Sequence, residues 1–361
     1  MKKFLIYGSY GYTGSLIVEQ AVKAGLKPLL AGRDPDQLRA QAENFGLEYR
    51  AFSIEDNAAL DAALLEVDAV LHCAGPFVLT FRQMAEACIR TRRHYVDISG
   101  EIEGFEALAA MDADAKRAGI MLLPGGGFDV VPSDCLIAHV AGQLPGATHV
   151  ELYIKSIGGG ISRGTARSGI ENSHKQGRIR RAGKILTVPN GWDIKDVDLG
   201  RGPTRLVTMG WGDVSTAFHS TGIPNVTVYM GFPAAMVNGL RLTRFAGPLL
   251  YTRTVRNFMK WLIGKFLAPG PSRRQNESGF SVLMAEVTDG RHTVRAKLQT
   301  PEAYYLTALT SVEIMKNILA DNLKIGFQTP SKVFGADFIL QFPGVVRQDF
   351  STANYHEERT S

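Results

Sequence analysis

The stretch FLIYGSYGYTG, residues 4–14, decides the fold. Its first four residues, 4–7, are apolar and predict a buried β-strand, and a helical pattern follows the last glycine. Between the two, Gly8 permits a tight turn, Gly11 lets the backbone approach a pyrophosphate, and Gly14 allows the helix to pack closely against the strand. A turn of this kind predicts a dinucleotide-binding site.

The phosphates of a dinucleotide would lie on N–H groups at the start of that helix, where the helix dipole favours negative charge. A glycine pattern alone could equally be a structural turn, but here a strand, a helix and a second strand supply the expected context. Tyr12 could stack on the cofactor, close the site or serve only in packing. The loop residues predicted to bind the cofactor are Gly8, Tyr10, Gly11, Tyr12, Thr13 and Gly14.

The end of the second predicted strand indicates which dinucleotide is bound. An NAD site uses an acidic residue there for the ribose hydroxyls, whereas this chain has Ala31-Gly-Arg33. The Arg33 guanidinium could fork onto a 2′-phosphate. Asp34 could repel that phosphate, but its better role is to cap the helix that starts with Pro35. NADP is therefore predicted, with NAD less favoured.

Two further turns follow predicted strands at their carboxyl ends, where ligands bind in open α/β sheets. The turn after the fourth strand, CAGPF at 73–77, could lie against the ribose and nicotinamide or be a simple connection. Ser53 and Asp56 follow the third strand, and either could bond the adenine, although Asp56 could instead cap the next helix. The contacts predicted from these turns are Ser53, Ala74, Gly75, Pro76 and Phe77.

Short apolar runs and helical patterns alternate through about residue 125, which predicts parallel β/α units. The fold class is therefore α/β, a Rossmann-type doubly wound parallel sheet with an inserted second α/β domain. A single helix is predicted over 104–118. The predicted strands of the first domain are 4–7, 28–31, 49–52, 69–73, 94–98 and 119–123.

Beyond residue 125 the β-like runs are no longer separated by helices, so the second domain should hold a mixed or antiparallel sheet. Asp289-Gly290 lies between two such runs and is typical of a type I′ hairpin turn. A long helix is predicted over 304–319. The predicted domains are an NADP-binding Rossmann domain at 1–125, a substrate or dimerisation α+β domain at 126–320, and a C-terminal segment at 321–361 that packs back on the domains.

The composition excludes several other classes of protein. The formal net charge is only +5 over 361 residues, and the basic residues form no tract interleaved with aromatic residues, so nucleic-acid binding is not predicted. The three cysteines form no CxxC pair and the histidines share no ligand spacing, so no metal site is predicted. No apolar run is long enough to span a membrane. A cytoplasmic location is therefore predicted.

Together the motifs resemble one family. GSYGYTG, AGR, CAGPF, YVDISGE at 95–101 and PGGGFDVVPSD at 124–134 occur in this order, and they resemble the saccharopine dehydrogenase-like oxidoreductases, which include the trans-acting enoyl reductases. The resemblance implies a Rossmann domain, an inserted α/β domain, NADP and redox chemistry at a carbonyl, imine or activated double bond. It covers nearly the whole chain, since it continues through Ser162-Arg-Gly-Thr165, Tyr304-x-x-Thr307-Ala308 and Thr329-Pro330.

Two positions depart from the family pattern. The Ser53 position is commonly acidic in the family, which weakens the case for an adenine contact there. Arg163 places a cation inside the Ser-x-Gly-Thr element, where it could alter the substrate pocket or contact a cofactor phosphate.

Several carboxylic acids follow the fifth and sixth predicted strands. Asp97 ends the fifth, while Asp129 and Asp134 follow the sixth. A carboxyl group buried near a nicotinamide could have a raised pKa and act as a general acid. Asp134 could instead cap a helix after Pro132, and Asp129 could hold the glycine-rich turn. The catalytic residue is not assigned, and the candidates are Asp129, Asp97, Asp134 and Tyr12.

A basic segment completes the pattern. Residues 242–276 contain seven basic residues and no acidic one, and within 244–268 apolar residues recur at helical spacing beside Arg253, Arg256 and Lys260. The segment could contact a lipid surface peripherally, steer an acyl or phosphate-bearing substrate, or be a core or homodimer helix with a solvated face. The predicted function is an NADP-dependent oxidoreductase with a small hydrophobic, acyl or imine substrate. The alternative is a non-catalytic NADP-binding scaffold at a membrane.

Overall fold

The computed structural model describes residues 2–172, 177–200, 202–232, 252–350 and 353–354. The chain divides into two compact units. The first comprises residues 1–131 and 304–333, and the second comprises 132–303 and 334–361. The larger segment of the second unit, 132–303, is thus inserted between the two segments of the first. Residues 304–333, which the sequence analysis divides between the second domain and the C-terminal segment, cluster with the first unit.

The first part of the chain alternates strands and helices. Its strands are β1 (Phe4–Tyr7), β2 (Leu29–Gly32), β3 (Tyr49–Ala51), β4 (Ala69–His72), β5 (His94–Asp97) and β6 (Met121–Leu123). Its helices are α1 (Tyr12–Lys23), α2 (Pro35–Phe45), α3 (Asn57–Leu65), α4 (Phe81–Thr91), α5 (Ile102–Ala110) and α6 (Asp112–Ala118), with a 3₁₀ turn at Phe77–Leu79.

The inserted part is richer in strands. Its helices are α7 (Val131–Gln143), α8 (Arg163–Asn172), α9 (Asp213–Thr221), α10 (Arg253–Phe266) and α11 (Arg273–Ser278). Its strands are β7 (His149–Ile157), β8 (Gly177–Arg181), β9 (Lys184–Val188), β10 (Ile194–Asp198), β11 (Pro203–Thr208), β12 (Asn225–Gly231), β13 (Phe280–Thr288) and β14 (His292–Pro301).

The last part of the chain begins with the long helix predicted over 304–319, which the structure confirms at one residue longer. The elements are α12 (Ala303–Leu319), β15 (Gly326–Phe327), α13 (Pro330–Phe334), a 3₁₀ turn (Phe338–Gln341), β16 (Val346–Asp349) and β17 (Ala353–Asn354).

The first unit contains a seven-stranded sheet in the order β15-β6-β5-β4-β1-β2-β3, and all its pairs are parallel. The predicted Rossmann-type sheet is thereby confirmed. Strand β15 extends the sheet through Gly326 and Phe327, which pair with β6. Two residues are too few to show a periodicity, which is why the sequence pattern did not predict this edge strand.

Two of the predicted helix caps are confirmed. The Asp34 carboxylate accepts hydrogen bonds from the backbone N–H groups of Asp36 and Gln37 at 3.1 and 3.2 Å, and so begins α2. Asp56 accepts from the N–H of Ala59 at 3.0 Å and begins α3. Each side chain satisfies donors that the first helical turn leaves unpaired.

The prediction of one continuous helix over 104–118 is wrong. The chain forms α5 and α6, separated at Met111, where the backbone N–H bonds the carbonyl of Leu108 in a tightened turn. The alanine-rich sequence carries no proline or glycine at this point. Because no local breaker marks the separation, the pattern shows one helix.

The second unit contains a ten-stranded sheet whose main path is β10-β11-β12-β7-β13-β14-β16. Among the strand pairs of the described residues in this sheet, only β12 and β7 are parallel, so the predicted mixed sheet is confirmed. The β13–β14 hairpin is also confirmed, but its turn is not type I′. That type needs positive φ at both central residues, and of this pair only Gly290 has it, at +94°. The Asp289 carboxylate instead accepts the N–H groups of Arg291 and His292, both at 2.7 Å.

Helix α3 offers a matched test of the core of the first unit. Leu64 is fully buried, whereas the side chain of its neighbour Leu65 is 60% exposed. We expect Leu64→Ala to lower the free energy of unfolding by about 2–5 kcal/mol, because a cavity opens in packed core. Leu65→Ala should change it by less than about 0.5 kcal/mol. Urea unfolding followed by circular dichroism measures both, and equal effects would contradict this packing.

Candidate functional site

The strands of the first sheet are all parallel, but the order in which the chain adds them reverses between β1 and β4. From β1 the chain builds outward to β2 and β3 on one side, and β4, β5 and β6 follow on the other. Such a switch point leaves a crevice at the carboxyl ends of the two central strands. The turns that leave β1 and β4 meet there, since a Cβ added to Gly8 would lie 2.9 Å from the backbone nitrogen of Ala74. The structure thus brings together two of the predicted cofactor loops.

The glycine loop is built by close backbone contacts. Gly8 has a φ of +85°, and its N–H donates to the Ala31 carbonyl at 2.7 Å. The N–H of Gly11 then bonds the Gly8 carbonyl at 3.1 Å. A Cβ on Gly14 would lie only 2.3 Å from that same carbonyl oxygen, so the helix can begin here only with glycine. Gly8 and Gly14 are therefore both needed for this conformation.

The start of α1 suits an anion. Gly11 is the N-cap residue, and no side chain caps the helix. The loop residues Tyr12 and Thr13 form its first turn. Backbone N–H groups at an uncapped helix start, together with the helix dipole, form a phosphate site. The loop therefore fits the pyrophosphate of a dinucleotide.

The end of β2 is held by a side chain from the glycine loop. The Tyr10 hydroxyl accepts hydrogen bonds from the backbone N–H groups of Arg33 and Asp34, both at 3.2 Å. Its ring packs on Gly32, where an added Cβ would lie 2.5 Å from the ring. The sequence analysis predicted Tyr10 as a cofactor contact but did not predict this bridge.

Arg33 lies at the carboxyl edge of the sheet. Its side chain is exposed. Burial raises the pKa of the Tyr7 phenol at the end of β1, and the positive charge of Arg33 opposes that rise, so the guanidinium lies within electrostatic range of the strand end. Asp34 faces its own helix, and a hydrogen bond from Gln37 lowers the pKa of the Asp34 carboxyl group. The carboxylate is therefore committed to capping, and the cation is the group available for a phosphate.

The buried side chain of His72 supports the turn that follows β4. His72 is fully buried, and burial lowers its pKa to about 3, so its ring is neutral. His72 Nε2 lies 2.9 Å from Thr80 Oγ1, and that hydroxyl donates to the Ala74 carbonyl at 2.8 Å. The turn between them contains Gly75, a cis peptide bond to Pro76, and Phe77, whose ring meets His72 edge-on. The sequence pattern shows no ligand spacing for the histidines and gave no indication of this role of His72.

Ser53 occupies a local turn after β3. Its hydroxyl accepts from the N–H of Glu55 at 3.3 Å, and its carbonyl accepts from Asp56 at 3.0 Å. The residue lies at the same edge of the sheet as Gly32, whose carbonyl accepts from Phe52. An adenine contact by Ser53 stays a prediction.

Asp97 organises the ends of β5 and β6. One carboxylate oxygen accepts from the Tyr95 hydroxyl at 2.6 Å, and the other accepts from the N–H groups of Ser99 and Gly125, both at 2.9 Å, and from the Ser99 hydroxyl at 2.8 Å. Burial raises the pKa of Asp97, and these donors oppose the rise. With both oxygens engaged by the chain itself, the carboxylate is suited to positioning the loops.

The glycine-rich turn after β6 rests on α12. The Thr310 hydroxyl donates to the carbonyl of Gly126 at 2.9 Å, and the Ser311 hydroxyl donates to the same atom at 3.2 Å. The N–H of Phe128 donates to Thr307 Oγ1 at 3.0 Å. Sequence reasoning noted Thr307 only as part of the family resemblance. Thr307, Thr310 and Ser311 recur at helical spacing on the buried face of α12. Three hydroxyl groups on such a face are the sequence signal that could have indicated a contact with backbone.

Asp129 and Glu101 form an acidic pair in the first unit. The turn before Glu101 lies against Asp129, since a Cβ on Gly100 would be 2.8 Å from an Asp129 carboxylate oxygen. Burial, followed by the negative charge of Glu101, raises the pKa of Asp129 to about 7. A carboxyl group with this pKa can carry a proton at neutral pH and give it up.

The other two candidate donors have different surroundings. The Tyr12 ring packs edge-on against Tyr304 with centroids 5.1 Å apart. Asp134 belongs to the second unit, where it is buried and accepts a hydrogen bond from Ser220. The proposed capping role of Asp134 after Pro132 is wrong, because α7 already begins at Val131 and Asp134 lies inside its first turn.

A metal site and a membrane-spanning helix are both absent from the described part of the chain. Within residues 2–172, 177–200, 202–232, 252–350 and 353–354, no group of three His, Cys, Asp or Glu side chains could hold a metal ion. No helix in those ranges has the length and apolar character required to cross a bilayer. Of the histidines, His174 lies outside the described residues.

Comparison with known proteins agrees with this geometry. Residues 4–123 match the family model of the saccharopine dehydrogenase NADP binding domain. This match confirms the prediction of NADP as the cofactor. It covers the glycine loop, the end of β2 and the turns after β4 and β5.

Two curated relatives extend the similarity. A lipid droplet localized protein of Caenorhabditis elegans is 25% identical over 229 residues, which are 54% of each chain. A trans-acting enoyl reductase of Mycobacterium ulcerans is 25% identical over 146 residues, 38% of this chain and 35% of the relative. The chain thus spans about half or less of the curated relatives' length. The predicted resemblance to saccharopine dehydrogenase-like oxidoreductases is confirmed.

A solved structure shares the whole fold. Apo saccharopine dehydrogenase (L-Glu forming) from Saccharomyces cerevisiae superposes with a TM-score of 0.66, covering 97% of this chain and all of that one, at 12% sequence identity. The match confirms the α/β architecture with an inserted second domain.

The glycine loop yields a direct test. Gly14→Ala would force a methyl group against the Gly8 carbonyl, so we expect NADPH to bind about fivefold to 150-fold more weakly, since overpacking of this kind costs about 1–3 kcal/mol. Gly142→Ala is the matched control, because Gly142 lies in α7 with nothing within 4 Å of an added Cβ. Fluorescence titration of NADPH measures both variants. Unchanged affinity in Gly14→Ala would show that the phosphates bind elsewhere.

Proposed function

We propose that this protein is an NADP-dependent oxidoreductase that transfers a hydride to a C=C, C=N or C=O bond of a small hydrophobic or acyl substrate. The observation that carries the proposal is the uncapped helix start at the β1–β4 switch point, in the same unit as the Asp129–Glu101 pair. A phosphate site supplies the cofactor's anchor, and a carboxylic acid that can hold a proton supplies the second requirement of a reduction.

The cofactor contacts follow from the loops at the crevice. Bound NADPH supplies the hydride. The amides at the start of α1 hold the pyrophosphate, and the Arg33 guanidinium meets the 2′-phosphate. The turn after β4, supported by Thr80, would hold the ribose and nicotinamide. The proposed contacts are Gly8, Tyr10, Gly11, Tyr12, Thr13, Gly14, Arg33, Ser53, Ala74, Gly75, Pro76 and Phe77.

Asp129 is proposed as the proton donor. Reduction of a C=X bond adds a hydride to one atom and a proton to the other. The proton leaves the Asp129 carboxyl group, which becomes a carboxylate and is reprotonated from water. Asp97 is a positioning residue in this proposal, since its oxygens are held by Tyr95, Ser99 and Gly125.

The pH dependence of turnover tests the proton donor. Because the acid form is required and the pKa of Asp129 is about 7, we expect kcat/KM for reduction to be full below pH 7 and to fall as the pH rises through 7. Asp129→Asn should lower kcat/KM by about 10²- to 10⁴-fold and remove this limb of the profile. Reduced-nicotinamide absorbance, followed over a panel of enoyl, imine and carbonyl compounds, provides the assay.

Asp114→Asn is the control for that experiment, because Asp114 lies on α6 in a surface ion pair with Arg117. Its pH profile should match that of the unaltered protein. If kcat/KM of Asp129→Asn still falls as the pH rises through 7, the proton is donated by another group. NADPH binding without turnover on any compound would favour the scaffold alternative.

We also propose a peripheral lipid contact for α10. Of the predicted segment 244–268, residues 244–251 lie outside the described residues, but α10 presents Phe258, Trp261 and Phe266 with exposed fractions of 57%, 55% and 73%. Phe258 and Trp261 stack at 5.9 Å, and the Lys265 ammonium lies 5.1 Å from the Trp261 ring. Exposed aromatic rings beside cations suit an anionic bilayer surface. The lipid droplet localized relative supports this proposal.

Co-sedimentation with vesicles tests α10. With phosphatidylcholine vesicles containing phosphatidylserine, Lys265→Gln should weaken binding about fivefold, since one cation near an anionic surface is worth about 1 kcal/mol. Trp261→Ala should weaken it on neutral vesicles as well. Trp192→Ala is the matched control, because the Trp192 side chain is 52% exposed in the loop before β10. Equal losses in both tryptophan variants would contradict a specific contact. A cytoplasmic location and a homodimer stay predictions.

A further inference from the structure

Tyr10 connects two parts of the nucleotide site that are far apart in sequence. It leaves the glycine loop, and its hydroxyl accepts the N–H groups of Arg33 and Asp34 at the end of β2, each at 3.2 Å. Its ring occupies the space that a side chain at Gly32 would need. One phenol therefore fixes the height and direction of the turn that carries Arg33.

The same turn is held from its other side. The Asp34 carboxylate accepts the N–H groups of Asp36 and Gln37 and the Gln37 side-chain amide, the last at 2.6 Å. The backbone of residue 34 is thus tied to the glycine loop, while its side chain is tied to α2. This arrangement keeps the carboxylate directed toward its helix and leaves the Arg33 side chain at the crevice edge.

We propose that Tyr10 is a specificity-determining residue for the 2′-phosphate of the cofactor, and the proposal rests on the NADP-dependent function proposed above. Tyr10 acts through the turn. It holds Arg33 where the guanidinium meets the phosphoryl group, and it prevents the turn from bringing the Asp34 charge toward that group. Without its hydroxyl, two backbone donors lose their acceptor and the turn is free to shift.

The consequence is selective. A nucleotide that lacks the 2′-phosphate needs neither the guanidinium nor the distance from Asp34. Loss of the Tyr10 hydroxyl should therefore affect nucleotides that carry the 2′-phosphate and spare those that do not. A residue that merely supported the glycine loop would weaken both kinds of nucleotide equally.

The experiment compares 2′,5′-ADP with 5′-AMP, which differ only in the 2′-phosphate, by isothermal titration calorimetry on the full chain. Tyr10→Phe removes one oxygen and keeps the ring that packs on Gly32. We expect the preference for 2′,5′-ADP to fall about fivefold to tenfold, through weaker 2′,5′-ADP binding, with 5′-AMP unchanged. Arg33→Ala should abolish most of the preference, and Tyr10→Phe added to Arg33→Ala should lower it no further.

Tyr49→Phe is the matched control, because Tyr49 begins β3 at the amino edge of the sheet. Its preference should equal that of the unaltered protein. Tighter 2′,5′-ADP binding by Tyr10→Phe would overturn the proposal, since the freed amides would then be the ligands. Equal weakening of both nucleotides, or an unchanged preference, would also overturn it. If the unaltered protein binds 5′-AMP but shows no preference for 2′,5′-ADP, the NADP assignment itself fails, whereas a preference that Tyr10→Phe leaves intact refutes only the role of Tyr10.

Discussion

The close approach of backbone to backbone at the β1–β4 switch point is the constraint on which the rest of the first unit depends. Gly8 must leave room for Ala74, and Gly14 must leave room for the Gly8 carbonyl, because an added Cβ would lie 2.9 and 2.3 Å from those neighbours. Side chains are therefore excluded from these two contacts, and the start of α1 beside them has no side-chain cap. An anionic ligand is what such a surface can bind.

Two groups of polar side chains are associated with this crevice. The first group supports the loops. His72 and Thr80 form a hydrogen-bonded chain to the Ala74 carbonyl, and the Asp97 carboxylate accepts hydrogen bonds from the ends of β5 and β6. The second group, Arg33 and Asp129, contains the side chains that are proposed to act on a ligand. Among these groups, the buried Asp97 carboxylate is tolerated because both of its oxygens accept hydrogen bonds, and the same bonds keep the loops in place.

Local sequence signals predicted much of this architecture. The six strands of the first part of the chain, the caps Asp34 and Asp56, and the β13–β14 hairpin all follow from patterns within a few residues. The glycine spacing and Arg33 likewise predicted where a dinucleotide should lie.

Features that depend on distant contacts could not be predicted. The support of Gly126 by Thr310 spans 184 residues, and the bridge from Tyr10 to Arg33 spans 23. The pairing of β15 with β6 joins residues 326–327 to 121–122. The pKa of Asp129 also depends on burial and on Glu101, neither of which has a sequence signature. In each case the partner is defined only once the chain has folded.

The insertion of one unit into the other has a consequence for the order of folding during synthesis. Residues 304–333 supply the edge strand β15 and the hydroxyl groups of α12 that hold the glycine-rich turn. These residues leave the ribosome only after residues 132–303, the larger part of the second unit, have been made. The nascent first unit must therefore wait, with one sheet edge and one loop unsupported, while some 170 residues are translated, roughly 10–30 s at common elongation rates.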